Sequence, residues 1–253
     1  MFRNFISAER YGDKLAAKGE FTGAAAAWHE ASVLAEMHVL RSTALTLKIA
    51  TLPYHELVRD QLTLGAIDPV HRSNARGVTT SCGKIVAGLV AERQAPHDSS
   101  REYLRELCGA ISEAVILYLG SRHYHQTGNT CLIPASFDED YGNVTDHDGI
   151  HYGFDAVGHT FHRQTSPRPI QVKTSHSKKR YPAGTAVVAL ADLGHPSWHQ
   201  NGTSILPSLI ARESEGNASP SEKSMITVAQ KTLQQIVFSN YPSSQTDSVT
   251  LML

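Results

Sequence analysis

Cysteine is scarce: Cys82, Cys108 and Cys131 are the only three in 253 residues. They are widely spaced and never form a C-x-x-C pair, which argues against a disulfide framework or a zinc knuckle and fits a reduced, cytoplasmic setting. A surplus of either charge is also lacking, since 23 Lys and Arg nearly cancel 24 Asp and Glu. No global field would hold nucleic acid, so any phosphate contact must come from a local patch. No stretch approaches the roughly 18 apolar residues of a membrane span. The opening "MFRNFISAERYGDK" meets charge after a few apolar residues, unlike an export signal. These absences lead to the expectation of a soluble protein with no membrane partner.

Sustained repetition is missing as well. In the Ala-rich first third, Tyr11, Gly12, Leu15, Gly19, Phe21, Ala24, Trp28 and Ala31 fall at the small and large positions of a helical hairpin. This resembles a single tetratricopeptide-type repeat, with Gly12 permitting close helix contact and Gly19 marking the turn. No second copy is convincing in "LTLKIATLPYHELVRDQLTLGA", and such a stack needs about three repeats for stability. The hairpin is therefore expected to pack on something else, offering a surface for a protein partner or self-association. A short helix is expected over Gly83 to Arg93, and then a polar loop ending in Asp98-Ser99-Ser100 that caps the next helix. That loop sets the expected division into a helical region, 1–97, and an α/β domain, 98–253.

From Ser100 to Tyr124, Leu104, Leu107, Ile111, Val115, Tyr118 and Leu119 form the stripe of a buried helix. Glu113 lies among Ala110, Ala114 and Leu117, where a carboxylate is costly to bury without a partner. The period then becomes that of strands: "NTCLIPAS", "HYGFDAVGHTF", "PRPIQVKTS" and "TAVVALADL", separated by Gly, Pro, Asn and Asp loops. Helical patterns return at "SILPSLIARES" and "SEKSMITVAQKTLQQIVFSN". In "PIQVK", Gln171 and Lys173 share one strand face while Ile170 and Val172 share the other.

Asp155, then fifteen residues, then Gln171-x-Lys173, with Glu113 on a preceding helix, resembles the PD-(D/E)XK, or restriction-endonuclease-like, nucleases. The resemblance is to branches in which Gln replaces an acid, as in Mrr-type enzymes, and it covers about residues 103 to 193. It implies an α/β fold with a mixed central sheet flanked by helices, behind the all-α N-terminal region. It also implies a Mg²⁺- or Mn²⁺-dependent hydrolase cutting phosphodiester bonds, of DNA or else of RNA. Carboxylate oxygens are what such hard cations prefer. Asp155 would be the central ligand, joined by the Gln171 amide oxygen, the backbone carbonyl of Val172, Glu113 and, as an additional acid, Asp148. Lys173 would orient or help deprotonate the attacking water and stabilise charge on the phosphate. Lys178, Lys179 and Arg180, just beyond that strand, would contact phosphates without reading bases. About ten residues, broken by Pro182 and Gly184, separate Ser175 from Ala186. The helix usual there in the family is therefore either absent or supplied by "AVVALADLG" itself.

Two other functions compete. Asp146, His147, Asp148, His151 and Asp155, followed by His159 and His162, suggest a His/Asp metallohydrolase holding a single Zn²⁺ or Mn²⁺. Against it, Gly149 and Gly153 make this a turn into a strand, and fourteen histidines make such clusters unsurprising. Alternatively the chain is a non-catalytic module that binds nucleic acid or protein on a nuclease-like scaffold, a reading to which Gln171 lends itself.

Overall fold

Glycine placement and a buried indole shape the first hairpin. The computed structural model describes residues 2–35, 39–64, 69–95, 100–135, 144–145, 151–152, 155–160, 167–174, 181, 184–194, 199–200 and 203–238. Helix α1 (Phe5–Ala17) starts at Asn4, whose side chain accepts the Ser7 backbone N–H at 2.9 Å. Gly19, at φ 77°, turns the chain into α2 (Phe21–Leu34). Gly12 lies against the indole of Trp28, where a Cβ would come within 2.5 Å of Nε1. Only glycine lets the helices approach this closely there. Trp28 is fully buried, donates to Asp13 at 3.1 Å and lies under the Lys48 ammonium. Lys48 also pairs with Asp13 and Glu9 at 2.8 and 2.9 Å, so the buried Glu9 carboxylate is compensated.

Lys48 belongs to α3 (Val39–Leu64), which packs on α2 and leads to α4 (Pro69–Gln94). The sequence predicts a helix over Gly83 to Arg93 only, yet α4 begins fourteen residues earlier. Gly77, Thr79 and Thr80 weaken its local propensity. The buried stripe Ala75, Val78, Cys82, Val86 and Leu89 overrides them, because packing of one face contributes more than propensity. Gly83 lets α4 touch two neighbours at once: a Cβ there would lie 2.8 Å from Ser214 and 3.1 Å from Tyr118.

Helix α5 (Arg101–Thr127) is capped by Ser100, which accepts the Tyr103 N–H at 3.2 Å, and ends at Gly128 in the left-handed conformation, φ 69°. It is followed by β1 (Thr130–Pro134), β2 (Val144–Thr145), β3 (His151–Tyr152), β4 (Ala156–Thr160), β5 (Arg168–Lys173) and β6 (Ala186–Ala189). After these come a helical turn α6 (Leu190–Leu193), β7 (His199–Gln200), β8 (Thr203–Ser204), α7 (Leu206–Ser214) and α8 (Pro220–Phe238). The main sheet has the order β1-β4-β5-β6, antiparallel except for the parallel pair β5/β6. Strands β2/β3 and β7/β8 form separate two-stranded ladders. The protein is thus mostly helical with a small four-stranded mixed sheet, an α/β arrangement.

The segment "TAVVALADL" divides, with Ala186–Ala189 extended and Leu190–Leu193 helical, so only its first half is strand. Gly120 brings α5 onto β1, since a Cβ there would meet Leu132 at 2.8 Å. Arg168 donates to the Val237 carbonyl at 2.7 Å and to the Gly184 carbonyl at 3.3 Å, tying the start of β5 to the end of α8. Between the helices, Arg122 holds Glu213 at 3.2 Å and donates to Gln230 at 2.6 Å, while Tyr118 donates to Glu213. This polar lock joins α5, α7 and α8 and makes α5 a fixed platform for Glu113.

The division expected near residue 97 lies outside the described residues. Buried apolar side chains on both sides of it, from Ala8 to Val237, form one continuous cluster. Helix α4 packs along both α5 and α7. Among the described residues no helix is long and apolar enough to cross a membrane.

Candidate functional site

The site is built where β4 begins against the middle of β5. Asp155 occupies the bend just before β4, one residue short of the strand in which the sequence placed it. Its backbone remains in the ladder: its N–H donates to the Ile170 carbonyl at 3.0 Å, and its carbonyl accepts the Ala135 N–H at 3.3 Å. The bend releases the side chain from strand alternation. One carboxylate oxygen, Oδ2, accepts the Val172 backbone N–H at 2.6 Å and the Gln171 side-chain amide. A carboxylate oxygen only accepts, so Gln171 meets it with nitrogen rather than oxygen.

Ile170 and Val172 are buried, as the alternation of β5 requires, but Gln171 is buried too, at 6 % exposure. An amide so enclosed requires partners, and Asp155 supplies one. Lys173, two residues on, is half-buried, and its ammonium lies 5.7 Å from the centre of the Tyr181 ring. Glu113 reaches the same place from α5. Burial first, and then the negative charge of Asp155, push its carboxyl up to about 7, while the Lys173 charge opposes the shift. Burial also raises Asp155; the Val172 N–H, the Lys173 charge and the Gln171 amide oppose that rise. Four residues named from sequence, Glu113, Asp155, Gln171 and Lys173, therefore meet within hydrogen-bonding or electrostatic reach.

The remaining expectations divide differently. Asp148 and the cations Lys178, Lys179 and Arg180 lie outside the described residues. So do Asp146, His147 and His162 of the zinc alternative, while His159 is buried in β4. No group of three or more His, Cys, Asp or Glu placed to hold a metal occurs among the described residues. The polar side chains at this centre are two carboxyls, one amide that donates to Asp155, and one ammonium.

Tyr181 escaped the sequence reading. The signal available is an aromatic residue eight positions past Lys173, directly before Pro182, in a stretch dominated by cations.

The raised carboxyl of Glu113 carries a testable consequence. Glu113 ordinarily titrates near 4.5 and here near 7, so between these values the folded chain keeps a proton that the unfolded chain has released. Stability is full below about pH 4.5 and is lost as pH rises through about 7, by roughly 2–4 kcal/mol before allowance for the partial exposure of the group. Glu113→Gln should remove this slope from metal-free melting curves. Parallel curves for the two proteins between pH 4.5 and 8 would contradict the placement of Glu113.

Comparison with known proteins adds no relative: no protein-family model, no curated protein and no solved structure matches this chain.

Proposed function

We propose that this chain is a metal-dependent nuclease of the restriction-endonuclease-like type, using Mg²⁺ or Mn²⁺ to hydrolyse phosphodiester bonds, with DNA as its substrate. The observation that carries the reading is the meeting of Asp155, Glu113 and Lys173 at the β4/β5 junction, where burial disfavours the charged form of each carboxyl. Two half-buried carboxylates with one cation leave uncompensated negative charge, which an oxygen-seeking divalent ion would relieve. A mixed four-stranded sheet, preceded by the helix that bears Glu113, supports the same reading.

The donor chemistry fits such an ion. Asp155 and Glu113 would hold it, with Asp155 offering its second oxygen, Oδ1, because Oδ2 already receives two donors. A magnesium ion so held supplies charge neutralisation at the phosphate and lowers the pKa of a water. Gln171 orients Asp155 by donating to it, instead of giving the metal an amide oxygen. Lys173 directs an N–H toward the attacking water and offsets the charge that builds on the phosphate. The N-terminal helices would place this centre on a protein partner or a second copy of the chain. Lys178, Lys179 and Arg180 would hold the duplex backbone.

The test is cleavage of labelled duplex DNA, single-stranded DNA and RNA with Mg²⁺, Mn²⁺ or EDTA. Duplex DNA should be cut with either metal and spared with EDTA, and Lys173→Ala should slow cutting by about a hundredfold or more. A pure chain that cuts no form of nucleic acid would sink the proposal. A second reading, a binding module without catalysis, is favoured by the Gln171 amide group standing where an acid would add charge. It expects binding of DNA or a partner protein without cleavage.

A further inference from the structure

We infer that Tyr181 is a positioning residue for Lys173, holding its ammonium over the ring face in the geometry the reaction needs; this rests on the nuclease reading above. The ammonium lies 5.7 Å from the ring centre, inside the roughly 6 Å range in which a cation is attracted by an aromatic quadrupole. Tyr181 is buried, at 9 % exposure, so the ring forms part of the wall beside Lys173. It precedes β6, the strand that pairs in parallel with β5 and sets Lys173 beside Ala189.

The choice of an aromatic partner is chemically apt. A third carboxylate here would raise Asp155 and Glu113 further and would take an N–H of the ammonium for itself. A ring face attracts the cation through its π-electrons and leaves the N–H donors for a water and a phosphate oxygen. It also limits the freedom of a long side chain whose rotamers are otherwise many. Lys173 is thereby presented toward the two carboxylates without being paired away from them.

The test compares wild type with Tyr181→Phe and Tyr181→Leu. In metal-free protein the ε-methylene protons of Lys173 should show a ring-current upfield shift that survives in Tyr181→Phe and disappears in Tyr181→Leu. Under saturating substrate, Tyr181→Leu should lower kcat by roughly three- to thirtyfold with KM unchanged, and Tyr181→Phe should stay near wild type. A Lys173 shift that persists in the leucine variant, or a kcat that does not fall, would overturn the inference. If the leucine variant does not fold, absence of the shift in wild type alone overturns it. A wild-type protein with the shift but no cleavage defeats the nuclease reading and leaves the ring-to-ammonium contact standing, so the two failures are distinguishable.

Discussion

Exchanging Asp155 for Asn should lower metal-dependent cleavage about a thousandfold while leaving the melting temperature of the metal-free protein unchanged or higher. The two effects have one origin. Asp155 is the carboxylate on which the other site residues converge, accepting from Gln171 and the Val172 N–H and interacting with Glu113 and Lys173. Removing its charge removes the principal anionic ligand, and the loss of several kcal/mol of transition-state stabilisation corresponds to about three powers of ten. Yet the folded state disfavours this charge, since burial raises the carboxyl above its ordinary value. A group raised in this way destabilises the fold at pH values above its pKa, so a neutral isostere relieves that strain. Asn also keeps a carbonyl oxygen to accept the Val172 N–H, so that buried donor is not orphaned. A fall in activity accompanied by a large fall in melting temperature would instead assign Asp155 a structural role.

Trp28→Ala should destabilise the whole chain by about 3–5 kcal/mol, the range for truncating a fully buried aromatic side chain. For a protein of this size that is a shift of roughly 10 °C. Trp28 fills the space that Gly12 opens between α1 and α2, and it orders Asp13 and Lys48 by a hydrogen bond and a ring-to-ammonium contact. Its removal leaves a cavity and loosens the ion pairs that compensate the buried Glu9. Because buried apolar residues run without a break from this hairpin through α4 and α5 to the sheet, the loss should shift one cooperative transition. Differential scanning calorimetry that resolves an early transition for the N-terminal helices, and an unshifted one for the rest, would contradict this coupling.

What could be read from the sequence follows from how local each signal is. The N-cap Ser100, the apolar stripe of α5 and the β-branched core of β5 are local, and these elements begin and end close to where the residues indicate. The polar pair Gln171 and Lys173 stood out for the same reason: alternation makes two polar residues on one strand face conspicuous. Helix α4 was only half legible, because Gly77 and Gly83 argue for breaks unless the contacts of α4 with α5 and α7 are known. Likewise, the hydrophobic run "AVVALA" does not mark the point, at Leu190, where strand gives way to helix.

In the site, residue types were legible and atomic roles were not. The Gln171 side chain was expected to present its oxygen, but its orientation depends on the unshared electron pairs of Asp155, which a spacing pattern does not encode. The Lys173 ammonium lies 5.7 Å from the Tyr181 ring although no strand or helical period relates the two positions. The lock of Arg122, Glu213 and Gln230 depends on helices about a hundred residues apart in the chain, with separations of 91 and 108.

Paramagnetic broadening by Mn²⁺ tests the proposed metal centre most directly. Titrated into isotope-labelled protein, the ion should first erase the amide resonances of Asp155, Val172 and Glu113, and Asp155→Asn should abolish that pattern. If resonances elsewhere broaden first, such as those around Glu9 and Asp13, or if Asp155→Asn leaves the pattern unchanged, the β4/β5 junction is not the metal site.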